Sequence, residues 1–269
     1  MLKTSLFDPN ARTQKEDLIS PVLMVLASAA HQNVPAVPTA FLRDAVGRVV
    51  QQSETDREKT STDTVSRFDR AMLNLTSHRS LERPRWVRYT RAVTQFNGAG
   101  VMKITARGKA ELFDRLVSMF DDVPLGDDVP NNLQDTHRHT ESRIAFVALL
   151  TLARLERLNK GPVSTTEWRE AVTRSLSLTA SDEKRLANRS DRAIDQTVRN
   201  LISHDTLGRH GWMRRTPTGR NKTTVRGKAR LVDEFLAIGL LPSIDVAVLN
   251  EHPLVAKAAT EPRARRALR

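Results

Sequence analysis

Two stretches of the chain combine arginine with hydroxyl or amide side chains at helical spacing. Guanidinium groups can form paired hydrogen bonds with guanine, and asparagine or glutamine can do so with adenine. Arginine also binds phosphate oxygens, so a set of this kind divides between base edges and backbone. The predicted DNA-binding residues are Ser66, Arg67, Arg70 and Asn74 in the first stretch, and Arg189, Arg192, Gln196 and Arg199 in the second. The alternative for each is a solvated helix face, and for Asn74 a structural role near the helix end.

A second group of basic residues follows each stretch, in segments that alternate apolar and polar side chains as β-hairpins do. Basic side chains on a narrow hairpin suit phosphate or minor-groove contacts, which weaken steeply with salt. Such residues are also common on any solvated ribbon, so the prediction concerns the set rather than one member. The set is Arg85, Arg88, Arg91 and Lys103 in the first hairpin, and Arg214, Arg215, Arg220 and Lys222 in the second.

The charge of the chain agrees with a polyanionic partner. Lysine and arginine total 43 against 31 acidic residues, which gives a net charge of +12 and an isoelectric point near 10.7. The excess is uneven, because residues 121–142 contain six acidic side chains and one arginine. Aromatic residues make up only 4%, which argues against the stacking platforms that hold single strands. Double-stranded DNA is therefore the predicted partner.

Other classes of protein are not indicated. No apolar run approaches the length of about 20 residues that spans a bilayer, and the N-terminus does not read as a signal peptide. The absence of cysteine fits a cytoplasmic location, and the expected DNA partner makes it a nucleoid-associated one. No phosphate-binding loop, metal-ligand cluster or nucleophile motif is present, so we expect no enzyme activity, no cofactor and no metal.

The elements that position these residues occur twice. The segment from Leu23 to Thr90 recurs without a gap 126 residues later, and residues 105–110 recur at 224–229. A repeat of this length indicates a duplicated domain rather than a solenoid. We predict an N-terminal arm (1–17), a first domain (18–120), an acidic linker (121–140), a second domain (141–239), and a C-terminal segment with a basic tail (240–269).

Each copy predicts the same order of elements: an apolar helix, a short extended piece, two further helices, a β-hairpin and a last helix. This is the order of a winged helix, so the predicted fold class is α+β, mostly helical, with two tandem winged-helix domains; other α+β folds share the order. Thr39 is predicted as an N-cap, and Ser164 with Glu167 as a capping box. Trp86 and Trp212 are expected to pack in the core or anchor the hairpins, with base stacking as the alternative. The main predicted spans are helices 38–51, 64–79 and 106–120 with strands 81–90 and 101–105, and helices 165–178, 190–205 and 226–238 with strands 207–216 and 222–225.

A string of motifs in the first copy supports this order. Arg67-Phe-Asp-Arg, Leu81-Glu-Arg-Pro-Arg and Met102-Lys-Ile-Thr-Ala-Arg-Gly-Lys-Ala together resemble the N-terminal winged-helix domain of the Mrr restriction proteins. The resemblance covers about residues 20–117 and implies a DNA-binding domain. The second copy departs from it, with Ala193-Ile-Asp and Gly208-Arg-His-Gly at the matching positions. Mrr proteins add a nuclease domain, for which no carboxylate and lysine motif is found here.

The expected function is therefore non-enzymatic binding of double-stranded DNA at an asymmetric pair of half-sites, as in transcriptional regulation. An alternative is the recognition component of a restriction or defence system, including one that senses modified bases, with the nuclease or methyltransferase on a separate chain. A third is a winged-helix module that binds proteins. The oligomeric state is left open.

Overall fold

The computed structural model shows an α+β protein in which helices predominate and the sheets are small and antiparallel, as predicted for the fold class. The chain divides into two compact units, Met1–Leu112 with Pro242–Arg269, and Phe113–Leu241. The predicted acidic linker, most of the N-terminal arm and the basic tail lie outside the described residues. The structure describes residues 14–50, 52–59, 65–77, 80–91, 100–117, 141–176, 178–185, 191–203 and 206–244.

The first copy contains five helices and three strands in its described residues. They are α1 (Ile19–His31), β1 (Val37–Pro38), α2 (Thr39–Val49), α3 (Glu54–Arg57), α4 (Arg67–Ser77), β2 (Val87–Arg91), β3 (Gly100–Ile104) and α5 (Ala106–Leu116). The strands form one antiparallel sheet in the order β1-β3-β2. Ile244, beyond the second copy, donates its backbone N–H to the Ser28 hydroxyl on α1 over 2.8 Å.

The second copy repeats this order with a shorter hairpin. Its elements are α6 (Glu141–Leu158), α7 (Thr165–Arg174), α8 (Ala180–Glu183), α9 (Ala193–Ser203), α10 (Thr206–Arg209), β4 (Met213–Arg215), β5 (Asn221–Thr223) and α11 (Val225–Ala237). A single bridge between Val163 and Asn221 stands where β1 pairs with β3 in the first copy. Positions correspond by adding 126 up to Thr90 and 119 from Met102 onward.

Helical spacing of apolar residues predicts an inner face for the third helix of each copy, and all of its members are buried except Val65, which is half-buried. The predicted residues are Val65, Phe68, Met72 and Leu75 in the first copy and Ile194, Val198, Leu201 and Ile202 in the second. Phe68, Met72 and Leu75 on α4 are at most 3% exposed, because they recur on one side of the helix. In the second copy the largest buried side chain is Trp168, whose indole N–H donates to the Ala148 carbonyl over 2.8 Å. The first copy has the buried Leu42 at this position. The two cores are therefore built from the same positions with different side chains.

Reciprocal caps fix the approach to the third helix in both copies. The side chains of Ser53 and Asp56 cap α3 in a capping box, and Thr179 and Asp182 cap α8 in the same way. Both aspartates are buried, at 1% and 0% exposure. These buried carboxylates accept hydrogen bonds from the backbone N–H groups of the N-cap residues, so neither partner is left unsatisfied.

The strands predicted from Leu81 and Leu207 begin six residues later, at Val87 and Met213, so those starts were wrong. The backbone groups of the preceding residues form hydrogen bonds within a turn. Trp86 N–H donates to the Leu81 carbonyl over 3.1 Å, and Trp212 N–H to the Leu207 carbonyl over 2.9 Å. These groups are then unavailable to a strand ladder.

The turn needs a left-handed residue just before each tryptophan. Gly211 supplies it in the second copy, with φ +68°, but Arg85 supplies it in the first, with φ +63°. Glycine adopts this conformation without steric cost, whereas an L side chain pays about 1–2 kcal/mol. The first copy therefore keeps an arginine at a position that favours glycine.

A threonine and a glycine attach the last helix of each copy to this turn through hydrogen bonds and close packing. The Thr105 hydroxyl accepts from Gly108 N–H (3.1 Å) and donates to the Arg85 carbonyl (2.6 Å). Thr224 does the same with Gly227 (3.0 Å) and Gly211 (2.5 Å). A Cβ atom on either glycine would overlap the carbonyl group of the tryptophan before the strand. The shared Thr-x-x-Gly spacing is thus a packing requirement.

Several predicted helix boundaries were wrong by a few residues. Thr39 is the first helical residue rather than the N-cap, which is Pro38 in an extended conformation. The helices predicted to reach Gln51 and Leu178 end at Val49 and Arg174. The third helices, α4 and α9, begin three residues later than predicted because short backbone bridges precede them, Lys59 with Ser66 and Arg185 with Arg192.

One of the two hydrogen bonds of the predicted capping box is present, because the Ser164 hydroxyl accepts from Glu167 N–H over 3.2 Å. The Glu167 carboxylate instead accepts from the Asn159 side chain over 2.7 Å. Among the described residues, no helix is long and apolar enough to cross a membrane.

Candidate nucleic-acid interface

Some of the predicted helix residues lie on matching faces of α4 and α9. Positions i, i+4 and i+7 of a helix share one side, and here that side is opposite the buried Phe68 and Met72. Of the predicted set, α4 places Arg70 on this face, and α9 places Gln196 and Arg199 there. The residues at the three positions are Ser66, Arg70 and Leu73 in the first copy and Arg192, Gln196 and Arg199 in the second.

On α4 the predicted residues differ in what they can offer. Arg70 is exposed, whereas Arg67 is half-buried and its guanidinium lies 3.4 Å from the Glu58 carboxylate. The Ser66 hydroxyl donates to the Asp69 carboxylate over 2.8 Å and accepts from Asp69 N–H. Ser66 therefore serves the start of α4, a role that its position in the sequence did not reveal. Asn74 is half-buried beside the core residue Leu75.

In the second copy the two described arginines, one just before α9 and one on it, are held by carboxylates. Arg192 forms a two-pronged contact with Asp195, with nitrogen-oxygen distances of 3.0 and 3.2 Å. This hydrogen bonding lowers the pKa of the Asp195 carboxyl and raises the pKa of the Arg192 guanidinium. Arg199 contacts Asp191 over 2.8 Å. Both guanidinium groups are thus oriented by acceptors of the kind that phosphate and guanine also present. Arg189 lies outside the described residues.

A cleft lies beside each of these faces, between the second and third helices of the copy. The cleft between α7 and α9 has a volume of about 450 Å³, and the one between α2 and α4 about 330 Å³. The cleft between α7 and α9 is lined by four arginines and three carboxylates, namely Arg169, Arg174, Arg192, Arg199, Glu170, Asp191 and Asp195. The cleft between α2 and α4 is lined by two arginines and two carboxylates, namely Arg43, Arg48, Asp44 and Asp69.

The cleft arginines of the second helices were missed as site residues. Arg43 and Arg169, and likewise Arg48 and Arg174, occupy corresponding positions of the repeat. Arg43 also lies 3.6 Å from Asp69, which connects α2 with α4. The signal that could have identified these residues is their exact repetition at exposed or half-exposed positions of a basic helix.

Both hairpins place two positive charges directly opposite each other. Arg88 on β2 faces Lys103 on β3, and Arg214 on β4 faces Lys222 on β5. All four side chains are exposed. Like charges at directly opposed positions destabilise a β-ladder. The arrangement therefore costs stability in each copy unless an anion lies against the hairpin.

The other predicted hairpin residues are placed less uniformly. Arg85 is exposed on the turn before β2, and Arg215 is exposed opposite Asn221. Arg220 is exposed and donates to the Pro162 carbonyl over 3.3 Å. Arg91 ends β2, and its side chain lies outside the described atoms. The paired cations of the strands are thus the part of this set that both copies share.

Trp212 anchors its hairpin, as predicted. It packs against the core of the second copy, and its carbonyl accepts from Thr224 N–H over 2.9 Å. The ring stacks with His210 at 4.5 Å between centroids, and the Arg230 guanidinium lies 5.5 Å from the ring centre. These neighbours occupy part of the ring surface on which a base would stack. In the first copy, the Trp86 carbonyl accepts from Thr105 N–H over 3.0 Å.

A polar group lies under the second hairpin and apart from the helix faces. Glu156 on α6 accepts from Thr223 N–H over 2.9 Å, and burial raises the pKa of its carboxyl despite that bond and the nearby Lys228. The corresponding position of the first copy is Ala30. Among the described residues, no group of three or more histidine, aspartate or glutamate side chains could hold a metal ion.

The sequence matches no protein-family model, and no curated protein or solved structure is significantly similar to it.

Proposed function

We propose that the chain binds double-stranded DNA without catalysing a reaction, using two tandem winged helices. In this proposal α4 and α9 enter the major groove, and the β2–β3 and β4–β5 hairpins are the wings that contact the backbone. The observation that carries the proposal is the pair of opposed cations on each hairpin, Arg88 with Lys103 and Arg214 with Lys222. Each pair follows, later in the sequence of its copy, a helix with basic side chains on its solvent side.

The cost of the opposed cations supports a polyanionic partner. A phosphate placed between two cations turns a repulsive pair into two attractive contacts, so the unfavourable arrangement in the free protein becomes favourable in the complex. Two copies that share this feature at corresponding positions would contact the backbone in the same manner. Backbone contacts fix the orientation of the protein and leave sequence preference to the helices.

The carboxylates that pair with Arg192 and Arg199 fit the same proposal. Asp195 and Asp191 hold Arg192 and Arg199 in the absence of DNA, at 3.0 and 2.8 Å. Binding would exchange these acceptors for phosphate or guanine oxygens. The net gain in binding free energy is therefore smaller than for an arginine that faces water in the free protein. We therefore expect α9 to bind weakly to DNA that lacks its preferred bases, which favours discrimination over general affinity.

The two helix faces differ at all three matching positions, so the proposed target is an asymmetric pair of half-sites. Transcriptional regulation is the role we propose, because a reader of DNA suffices for it. The motif string that resembles Mrr proteins supports an alternative role, the recognition component of a restriction or defence system whose nuclease or methyltransferase is a separate chain.

The test measures binding of a random-sequence duplex by fluorescence anisotropy across a salt series. We expect the logarithm of the affinity to fall linearly with the logarithm of salt concentration. Replacing Arg88, Lys103, Arg214 and Lys222 with alanine lowers the steepness by about one for each phosphate contact that is lost. The matched control removes four exposed cations from other elements: Arg57→Ala, Arg115→Ala, Arg157→Ala and Lys160→Asn.

Two results would refute the proposal. One is a parent protein that does not bind duplex at moderate salt, as the protein-binding alternative expects. The other is an equal loss for the hairpin variant and its control, which would show that total charge rather than the hairpins determines binding. Cleavage of the duplex in Mg²⁺ that EDTA abolishes would overturn the non-enzymatic part.

A further inference from the structure

Leu73 is an apolar side chain on the exposed face of α4. It is 40% exposed, whereas Phe68, Met72 and Leu75 of the same helix are at most 3% exposed. A single exposed leucine is ordinary on a protein surface and indicates nothing alone. What distinguishes Leu73 is its place, since it follows Arg70 by three residues on the side of the helix opposite the core.

The repeat gives this position a counterpart. Leu73 corresponds to Arg199, as Arg70 corresponds to Gln196. Arg199 lies on the same face of α9 and borders its cleft. The first copy thus carries an apolar group where the second carries a guanidinium group.

We propose that Leu73 is a specificity-determining residue that contacts the 5-methyl group of a thymine in the major groove. The inference rests on the proposed binding of DNA by α4. The thymine methyl is the apolar group that an unmodified base pair presents in the major groove, and a leucine side chain has no hydrogen bond to offer the other edges. Arg199 would contact guanine at the corresponding step of the other half-site.

The spacing on the helix agrees with contacts to neighbouring base pairs. Arg70 and Leu73 are about 4.5 Å apart along the helix axis at 1.5 Å per residue. Successive base pairs are about 3.4 Å apart, so a helix lying in the groove brings the two side chains to adjacent or nearly adjacent pairs. The half-site read by α4 would then join a guanine contacted by Arg70 to a nearby thymine.

The experiment selects bound sequences from two randomised duplex libraries, one with thymine and one with deoxyuridine in its place. The parent protein is expected to enrich a motif with a required thymine in the first library and to lose that preference in the second. In the selected duplex, replacing this thymine alone with deoxyuridine is expected to weaken binding about fourfold, the effect of one buried methyl group.

Three variants locate the contact. Leu73→Ala removes the thymine preference, and Leu73→Arg changes that position towards guanine, while Leu73→Met retains an apolar contact. Arg199→Leu is the matched control, and it changes the other half-site from guanine towards thymine. Because Leu73 is exposed, the melting temperature of its variants is expected to equal that of the parent.

The outcomes separate this inference from the function on which it rests. Equal affinity for thymine and deoxyuridine at every position, or an unchanged thymine preference in Leu73→Ala, overturns the methyl contact while salt-dependent binding stands. A parent protein that binds neither library overturns both.

Discussion

The two copies are alike in the contacts that set their backbone and unlike on the faces proposed to meet DNA. Both have a buried capping box, a left-handed turn residue and a Thr-x-x-Gly contact at corresponding positions. Between Arg70 and Gln196, and between Leu73 and Arg199, the residue types on this side of the helix have changed completely. Exposed side chains can change at little cost to stability, whereas a substitution that breaks a cap or a close packing contact cannot. The comparison therefore separates residues that maintain the fold from residues that can set specificity.

The interiors add a second difference. The first copy has Leu42, Met102 and Ala30 where the second has Trp168, Asn221 and Glu156. Both sets are buried or half-buried, so the second copy holds a larger aromatic group and more polar atoms in an equivalent scaffold. The stability of the two units should consequently respond to different changes.

The largest expected effect tests whether each core supports its own unit. Trp168→Ala should lower the free energy of unfolding of the second unit by about 3–5 kcal/mol, because a fully buried indole is lost. Leu42→Ala should cost the first unit about 2–5 kcal/mol. Hydrogen exchange measured by mass spectrometry locates the effects, with faster exchange in α7 and α9 for one variant and in α2 and α4 for the other. Equal acceleration in both units by either variant would contradict the comparison.

The next effect tests the similarity of the copies. Gly108→Ala and Gly227→Ala should each destabilise their unit by about 1–3 kcal/mol, because the new methyl group overlaps a backbone carbonyl that the turn holds in place. Urea unfolding gives the loss of free energy. Gly161→Ala is the control, since its Cβ would meet only an ordinary contact at 3.9 Å. Tolerance of one glycine substitution but not the other would show that the last helix is attached differently in the two copies.

Much of this architecture could be predicted from the sequence. Helical periodicity correctly placed Phe68, Met72 and Leu75 in the core, and the repeat gave the order of elements twice. The strand starts were wrong because an alternating pattern does not show that Leu81 and Leu207 already accept hydrogen bonds within a turn. Local spacing also cannot reveal that Arg199 is paired with Asp191 eight residues earlier.

Leu73, which we propose as a specificity residue, was not predicted as a site residue for a different reason. An apolar residue in an amphipathic helix was assigned no binding role, although its angular position is on the solvent side. Arg43 and Arg169 were overlooked because their place in the clefts depends on packing between the second and third helices. In both cases the correspondence between copies carried the missing information.

A smaller effect is expected at the left-handed turn position, which is Arg85 in the first copy and Gly211 in the second. Arg85→Gly should raise the free energy of unfolding by about 1 kcal/mol, since it removes a left-handed L residue, and should weaken DNA binding because a cation is lost. Gly211→Arg should destabilise the second unit by a similar amount. Urea unfolding and a gel shift measure the two effects. Arg83→Gly, on the exposed surface without a positive φ, is the control and should give no gain in stability. A gain in both stability and affinity for Arg85→Gly would remove this arginine from the proposed interface.

The smallest effect tests the buried carboxyl that only the second copy has at this position. Burial raises the pKa of Glu156 above its ordinary value of 4.5, so the folded state binds a proton more tightly than the unfolded state. The stability of the second unit should therefore fall as pH rises from 4.5 through the raised pKa. Glu156→Gln is neutral at every pH and can still accept from Thr223 N–H. Its effect on stability should be most favourable above that window and smallest below 4.5.

Urea unfolding of parent and variant at a series of pH values measures this difference, and hydrogen exchange in α1 shows whether the first copy, with Ala30, is unaffected. A gain from Glu156→Gln that is the same at all pH values would mean that the amide packs better than the carboxyl. A gain that grows with pH would instead show that the second copy keeps an ionisable group under its hairpin at the expense of stability, as both hairpins do with their opposed cations.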